Sequence, residues 1–435
     1  MFSRSRALLL QLALLMSLAG CSDEATRRAC DPPQGPGCLA PGLDTAGLGR
    51  FASATLSNDE RLAAASWDTS RGALVVAFFD ASNAISELRV VAKGEGGPTR
   101  IAAEPSGQVQ LVWFDRGLGR AFWARGDRNG FSSPELIGEG PGILGTHLAL
   151  ALDTSSRPSD SDPVPVPHVA LRDETRRNLS YAVRQPEGWR LEPVDTCAGE
   201  ADCPGPDEDV GEWAQLALVP GAGGVWLPRI AFYDRLRGDL KLAARGEDGR
   251  WQTSTLDGRD PATGADTGDV GRFITLASTP GRTLGIAYFD ATREALRYLG
   301  PGEAPRIVDA GLANTSTSGL RDAASPSALG LRPRVNVGQH ASLRYDAVGQ
   351  GHIVYADATT PALRHVTVRT ANTSGPVVLP LPPGAWPTLT RIEDLPDGGV
   401  RLHGVYGAFG TTPARSSLEV FTHDLAPTNP SGATP

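Results

Sequence analysis

Short hydrophobic runs alternate with polar turns along almost the whole chain, and one run-and-turn phrase returns several times. It is clearest in "RIAFYDRLRGDLKLA" (229–243), "LGIAYFDATREALRYLG" (284–300) and "GHIVYADATTPALRHV" (351–366). β-Branched and aromatic residues fill the runs, while Gly, Pro and Asp separate them, which is typical of strands joined by turns. Helical periodicity is absent beyond residue 20, so the chain is predicted to be all-β.

The spacing of the phrase predicts the architecture. Aligned on its last residue, the phrase ends at Asp80, Asp115, Asp173, Asp234, Asp290, Asp357 and, in a degenerate last copy, Gly407. The copies lie mostly 50 to 67 residues apart, with one interval of 35. With the predicted strands before and after each phrase, a repeat unit contains about four strands. This pattern predicts a β-propeller, with seven blades of four antiparallel strands as the first choice and six or eight left open.

One strand has no blade of its own. "GRFASATL" (49–56) precedes the first copy, and the last copy stops after its third strand. Because ring closure must shield every sheet edge, we expect this strand to be the outer strand of the final blade. The predicted propeller spans residues 49–425, and a disordered tail follows at 426–435.

The chain begins with a targeting segment, residues 1–20. Arg4 and Arg6 precede the apolar stretch "ALLLQLALLMSLAG", which is too short for a comfortable membrane span. Its end, Leu18-Ala19-Gly20-Cys21, resembles the bacterial lipobox. By that resemblance Cys21 is the first mature residue and carries acyl chains, which anchor a protein to a bilayer. A Pro/Gly-rich linker (21–48) follows. An ordinary secretory signal is the alternative.

The anchor implies a location in the bacterial cell envelope. Ser22, rather than Asp, follows the cysteine, and this favours the outer membrane. The net charge is −8, from 41 basic and 49 acidic residues, and no basic stripe stands out. Nucleic acid is therefore not an expected partner, and a monomer is expected.

The other four cysteines form two pairs that are close in sequence, Cys30 with Cys38 and Cys197 with Cys203. An exported protein meets an oxidising compartment, so two local disulfides are predicted. Metal binding by these pairs is the alternative.

The Asp that ends each phrase has a structural interpretation. An Asp side chain accepts hydrogen bonds from backbone amides two residues on, which stabilises a turn. Catalysis would need one distinctive pair of carboxylates, whereas these recur in most of the predicted blades. We therefore expect these residues to start turns, and Tyr233 and Phe289 beside them to pack between blades.

A second recurrence consists of a glycine, one free residue and then a ring, and it lies just before the first strand of five predicted blades. The copies are "DVGEW" (209–213), "DVGRF" (269–273), "NVGQH" (336–340) and, more loosely, "ILGTH" (143–147) and "PGAWP" (383–387). The first strand of a blade lines the channel of a propeller. The rings could therefore stack on a sugar or a peptide, with Asp209, Asp269 and Asn336 accepting hydrogen bonds. These candidate ligand-binding rings are His147, Trp213, Phe273, His340 and Trp386. Packing against the next blade is the alternative.

An acidic loop is a candidate calcium site. "DGRDPATGADTGD" (257–269) offers the oxygen atoms of Asp257, Asp260, Asp266 and Asp269. The spacing is not that of an EF-hand, and a merely solvated loop is the alternative. No other cofactor is expected.

No catalytic signature is present: the sequence has no HExxH, GxSxG or Walker motif and no convincing Asp box of the sialidase type. A binding or scaffolding module for a protein or glycan partner is therefore predicted. The alternative is a polysaccharide hydrolase or lyase with its site at the channel mouth. The lipobox followed by "hIAYyD…LkYA" blades resembles propeller-repeat lipoproteins of GC-rich Gram-negative bacteria such as myxobacteria. That resemblance implies the fold and the anchor and implies little about activity.

Overall fold

Seven antiparallel sheets stand side by side in a ring, so the protein is a seven-bladed β-propeller. The computed structural model describes residues 47–57, 60–139, 142–155, 164–194, 196, 208–260, 262–311, 335–369, 372–410 and 416–427. Within every blade the strands follow one another in sequence order, from the centre of the ring outwards. The predicted fold class and blade number are confirmed.

The first four blades run from Arg50 to Asp257. Blade 1 contains β1 (Arg50–Leu56), β2 (Leu62–Asp68), β3 (Ala73–Phe79) and β4 (Ile85–Lys93), and blade 2 contains β5 (Thr99–Ala103), β6 (Val109–Asp115), β7 (Arg120–Asp127), β8 (Gly130–Phe131) and β9 (Glu135–Leu136). Blade 3 contains β10 (Leu144–Asp153), β11 (Val166–Asp173), β12 (Asn178–Gln185) and β13 (Gly188–Pro193), and blade 4 contains β14 (Val210–Pro220), β15 (Trp226–Asp234), β16 (Asp239–Arg245) and β17 (Trp251–Asp257). A turn of 3-10 helix, Ala222–Gly224, joins β14 to β15.

The last three blades run from Val270 to Leu425. Blade 5 contains β18 (Val270–Ser278), β19 (Leu284–Asp290), β20 (Ala295–Leu299) and β21 (Arg306–Asp309). Blade 6 contains β22 (Val337–Tyr345), β23 (Gly351–Asp357), β24 (Ala362–Arg369), β25 (Asn372–Thr373) and β26 (Val377–Val378), and blade 7 contains β27 (Gly384–Asp394), β28 (Val400–Ala408) and β29 (Ser417–Leu425). Blades 2 and 6 thus split their fourth strand in two, and blade 7 has three strands in the described part of the chain.

The prediction that 49–56 closes the final blade is wrong. The strand β1 is the innermost strand of blade 1 and pairs with β2, with Ser53 opposite Ala65. It meets blade 7 by packing against β27 and β28. The ring is closed at this point by packing and by a backbone hydrogen bond of 2.7 Å from the amide of Gly47 to the carbonyl of Ser416, with no strand shared between the two blades.

The same observation corrects the ends of two copies of the repeat. The strand β2, "LAAASWD", is the first copy and ends at Asp68, whereas "LVVAFFD" (74–80) contains the third strand of blade 1. Asp68 and Asp115 are 47 residues apart, so the anomalous interval of 35 disappears. In blade 7, Gly407 pairs with Ala385, and the equivalent pair in blade 6 is Ala356 with Gln339. Gly407 therefore corresponds to the residue before the final Asp of the phrase, and Ala408 takes the place of that Asp.

The predicted turn role of the phrase-ending Asp is confirmed. Asp234 accepts hydrogen bonds from the amides of Leu236 (3.0 Å) and Arg237 (3.1 Å), and Asp357 accepts them from the two corresponding amides of its own turn. The residue after each Asp donates its amide to a carbonyl just before the inner strand, as Arg235 does to Asp209. Each second-to-third-strand turn therefore lies on the same face of the propeller as the start of the inner strand.

The hydrophobic core lies between neighbouring blades. One cluster joins blades 4 and 5 and contains Tyr233, Val270, Ile286 and Tyr288, all buried. Equivalent clusters join the other blades, including one between blades 7 and 1. The predicted packing role of Tyr233 is confirmed. Among the described residues, no helix has the length and apolar character needed to cross a membrane.

Candidate ligand-binding site

The inner strands of all seven blades surround a central cavity of about 570 Å³. Blade 2 contributes one ring to the lining from its second strand, Phe114. The other six blades each contribute a ring from the inner strand: Phe51, His147, Trp213, Phe273, His340 and Trp386. Five of them are the rings predicted from the sequence. Phe51 was missed because its strand was assigned to another blade, although Gly49-Arg50-Phe51 has the same spacing from glycine to ring. We call these six side chains the aromatic collar.

A backbone irregularity points the collar into the cavity. In blade 4 the pairing register shifts between Glu212 and Gln215, and Trp213 has a φ of 55°. Such a bulge re-aims a side chain relative to the regular strand. Four other collar residues also have φ values between 50° and 54°: Phe51, Phe273, His340 and Trp386. Left-handed backbone costs a non-glycine residue about 1–3 kcal/mol, so five blades keep a strained conformation at this position.

In five of the six collar blades, the glycine two residues before the ring allows a close approach of the neighbouring blade. Gly211 has a φ of 93°, and a Cβ atom there would lie 3.2 Å from the Cα atom of Leu179 in blade 3. In the motif of glycine, one residue and ring, packing against the neighbouring blade therefore explains the glycine. The ring faces the cavity.

The collar forms a continuous arc in which each ring contacts the next. Centroid distances are 4.9 Å for His147–Trp213, 4.0 Å for Trp213–Phe273, 4.6 Å for Phe273–His340, 5.3 Å for His340–Trp386 and 5.8 Å for Trp386–Phe51. Most of these distances lie in the range in which aromatic pairs attract one another. All six side chains are half-buried, so the rings support one another and still present surface to the cavity.

Blade 2 interrupts the arc with positive charge. Its inner strand pairs with β6 without a bulge, and Arg100 and Arg116 line the cavity there. The Arg116 guanidinium lies 5.1 Å from the ring centroid of Phe51, a cation–π distance. Burial lowers the pKa of Arg100 to about 10, which leaves it charged at neutral pH. Among the described residues that line the cavity, two are arginine and none is Asp or Glu.

The two collar histidines are neutral at pH 7. Burial, with the nearby charge of Arg172, lowers the pKa of His147 to about 4. Burial, with the charge of Arg100, lowers the pKa of His340 to about 4 as well. The Nδ1 atom of His147 accepts a hydrogen bond of 3.1 Å from the amide of Trp213, so the proton of the neutral ring sits on Nε2.

Hydroxyl groups below the collar tie the inner strands together. Thr275 Oγ1 accepts a hydrogen bond of 3.1 Å from the amide of Leu343, and Ser342 Oγ accepts one of 3.0 Å from the amide of Leu389. Each bond joins the inner strand of one blade to that of the next. The cavity wall is therefore built of cross-linked strands, which hold the collar in a fixed geometry.

The three predicted polar residues near the collar have partners within the protein. Asp209 pairs with Arg172 at 2.7 Å. Asp269 accepts a hydrogen bond of 2.8 Å from the Tyr233 hydroxyl, and Asn336 Oδ1 accepts one from Gln339. None of the three lines the cavity. That they bind a ligand stays a prediction.

The four aspartates of the acidic loop are not brought together. Asp257 ends β17, is buried, and accepts a hydrogen bond of 2.5 Å from Tyr288 while it pairs with Arg297 at 3.1 Å. Asp260 and Asp266 accept hydrogen bonds from amides of their own loop. In the described part of the chain, no cluster of three or more His, Cys, Asp or Glu side chains is placed to hold a metal ion. Calcium binding stays a prediction. The five cysteines lie outside the described residues.

No protein-family model and no curated protein matches the chain. Solved structures with related folds include an α-L-arabinofuranosidase from Fusarium graminearum (12% identity, 75% of this chain and 92% of that chain, TM-score 0.43). They also include a lectin from Aleuria aurantia (11%, 77% and 97%, TM-score 0.41) and the propeller domain of Cps50 from Myceliophteria thermophila (10%, 85% and 97%, TM-score 0.46). These similarities concern the propeller fold, and no ligand or activity of this chain follows from them.

Replacing Trp213 by Gly is expected to leave the protein more stable than replacing it by Ala, by about 1 kcal/mol. Both changes remove the ring, but only Gly adopts a φ of 55° without strain. Urea unfolding of the two variants measures the difference. At Gln215, two residues further along the same strand, the usual order should hold and the Ala variant should be the more stable. The same order at both positions would contradict a strained collar.

Proposed function

We propose that this chain is an envelope-anchored lipoprotein whose propeller is a binding module, with its ligand seated in the central cavity against the aromatic collar. One observation carries the proposal: six blades direct a ring into one open cavity, and five of them adopt a strained backbone to do so. Packing alone does not call for strain at the same position in blade after blade. Strained backbone of this kind clusters at ligand-binding sites.

The composition of the cavity favours binding over hydrolysis. Rings, neutral imidazoles, two guanidinium groups and small polar residues line it. Hydrolysis of a glycosidic bond ordinarily uses a pair of Asp or Glu side chains on either side of that bond. The described cavity lining contains no Asp or Glu, and Asp209 and Asp269, the acids nearest the collar in sequence, are engaged in ion pairs.

A glycan array on the soluble form that begins at Ser22, with and without calcium, tests the binding function. We expect a glycan to bind, the Trp213→Ala variant to retain part of the affinity, and the Trp213→Ala/Phe273→Ala variant to lose it. Trp226→Ala is the matched control, since Trp226 lies at the far end of β15 from Asp234 and does not line the cavity.

Three outcomes of that experiment would count against the proposal. They are turnover of a bound polysaccharide, binding that survives the double collar variant, and a protein partner that envelope pull-downs recover equally with both collar variants. The anchor is tested separately, because Cys21→Ser should move the full-length protein from the membrane fraction to the soluble fraction.

A further inference from the structure

Arg100 differs from the three arginines that lie buried between blades. Arg172, Arg297 and Arg364 each pair with two carboxylates at 3.4 Å or less. Arg100 lies within ion-pair distance of no carboxylate among the described residues. Its Nη1 atom donates a hydrogen bond of 2.8 Å to the carbonyl of Thr99. A guanidinium has five N–H donors, so most of its hydrogen-bonding capacity is not used by the protein.

Arg100 lines the central cavity. It lies on the inner strand of blade 2, and the collar histidines His147 and His340 line the same cavity from blades 3 and 6. In agreement with this placement, the charge of Arg100 contributes to the lowered pKa of both histidines. The cation and the aromatic collar therefore share one cavity.

Arg100 is half-buried in the cavity, and proteins ordinarily pair a charge that is partly withdrawn from water. This chain carries 49 acidic residues and a net charge of −8, so counter-charges for an arginine are plentiful. None is placed in the described lining of the cavity, where Arg116 adds a second guanidinium. An anionic ligand would supply the missing charge.

We propose that the cavity binds an acidic sugar, with the carboxylate of the sugar on Arg100 and the apolar face of its ring on the collar at Trp213 and Phe273. Arginine is suited to this role because its planar fork matches a carboxylate in a bidentate geometry. A cavity of about 570 Å³ has the size of a small-ligand site. This inference rests on the proposed binding function and adds the chemical class of the ligand.

A sugar fits this site better than a peptide does. Peptides are usually bound along a groove or a sheet edge, where they lie extended. The cavity is instead enclosed by the inner strands of seven blades. A saccharide ring has two apolar faces and a polar rim, so it can contact several rings of an arc while its substituents reach Arg100, His340 and Gln215.

Calorimetric titration of the soluble form with digalacturonate and with its dimethyl ester tests the inference, because esterification removes both charges and adds only a methyl group to each carboxyl group. We expect the acid to bind at least about tenfold more tightly than the ester, as a charge-assisted bidentate contact predicts. Arg100→Gln should reduce the acid to the affinity of the ester. Arg369→Gln, which removes the same charge from an exposed position on β24, should leave the preference unchanged.

Equal affinity for acid and ester, or a preference that survives Arg100→Gln, would overturn the inference. If Trp213→Ala still weakens binding in that case, the proposed binding function stands. Failure of the wild type to bind either probe would also overturn the inference, and the glycan array alone would then decide the binding function. Binding of tetraglutamate that depends on Arg100, without binding of digalacturonate, would replace the sugar by an acidic peptide. Thermal unfolding of each variant shows whether it is folded.

Discussion

Replacing Arg364 by Met is expected to lower the free energy of unfolding by about 3–5 kcal/mol, since removing one partner of a buried ion network leaves the others uncompensated. Arg364 joins blades 5 and 6. Its Nη1 atom lies 3.2 Å from Asp309 and its Nη2 atom 2.9 Å from Asp357, and both carboxylates are almost fully buried. Tyr355 donates a further hydrogen bond of 2.7 Å to Asp309. The variant would leave two buried carboxylates with no cation between them.

Urea unfolding of three variants measures this effect. Arg369→Met lies on the same strand with an exposed side chain and should change stability by less than about 0.5 kcal/mol. Arg364→Lys should recover part of the loss, because blade 4 carries Lys241 at the equivalent position, 3.9 Å from Asp234. If Arg364→Met and Arg369→Met unfolded alike, the network would contribute nothing to holding the two blades together.

An equivalent network between blades 4 and 5 gives Asp257 a role that the sequence interpretation did not identify. Asp257 was grouped with Asp260, Asp266 and Asp269 because all four lie in one acidic stretch of the sequence. In the fold, Asp257 is the last residue of a strand and pairs with Arg297 of the next blade, as Asp309 pairs with Arg364. A recurring strand-final Asp in "STLD" and "RIVD" was the available signal. Its partner lies 40 residues further along the chain, in another blade, which a local reading does not reveal.

The architecture was predictable because the same strand-and-turn phrase recurs in the blades, where its apolar residues pack against the neighbouring blade. The assignment of strands to the first blade was not predictable, because of the amino-acid composition of β2 and β3. The strand β2 is "LAAASWD" and β3 is "ALVVAFF", and every residue of both is buried. The large side chains of β3 resemble the repeat, whereas β2 carries Ala or Ser at four of its seven positions.

The candidate site was predictable only where it repeats. The glycine-to-ring spacing gave five collar residues, since the bulge that aims each ring requires that spacing. Arg100 has no such signal, because blade 2 has no bulge and its strand "TRIAA" resembles any half-buried strand. Its importance comes from closure of the ring, which places the cation of blade 2 on the same cavity as the histidines of blades 3 and 6.

Replacing Gly407 by Ala is expected to destabilise the propeller by about 1–3 kcal/mol, the usual cost of overpacking a close contact. The change falls on the seam between blades 7 and 1. A Cβ atom on Gly407 would lie 2.3 Å from the carbonyl oxygen of Gly49, which is a backbone atom and cannot swing away. The blades share no strand here, so the clash is relieved only by moving blade 1 away from blade 7. Phe51, two residues beyond Gly49, would move with it and lose contact with Trp386.

The seam and the collar are thus predicted to respond together. Gly407→Ala should lower the midpoint of urea unfolding and also weaken ligand binding in the array. Gly281→Ala is the matched control, because its Cβ would meet no atom nearer than 3.6 Å and its φ is not left-handed. Stability equal to that of Gly281→Ala would mean that the ring does not depend on the contact between Gly49 and Gly407. A stability loss with unchanged binding would mean that the collar keeps its shape when the seam is strained, and that the hydroxyl links between inner strands hold it instead.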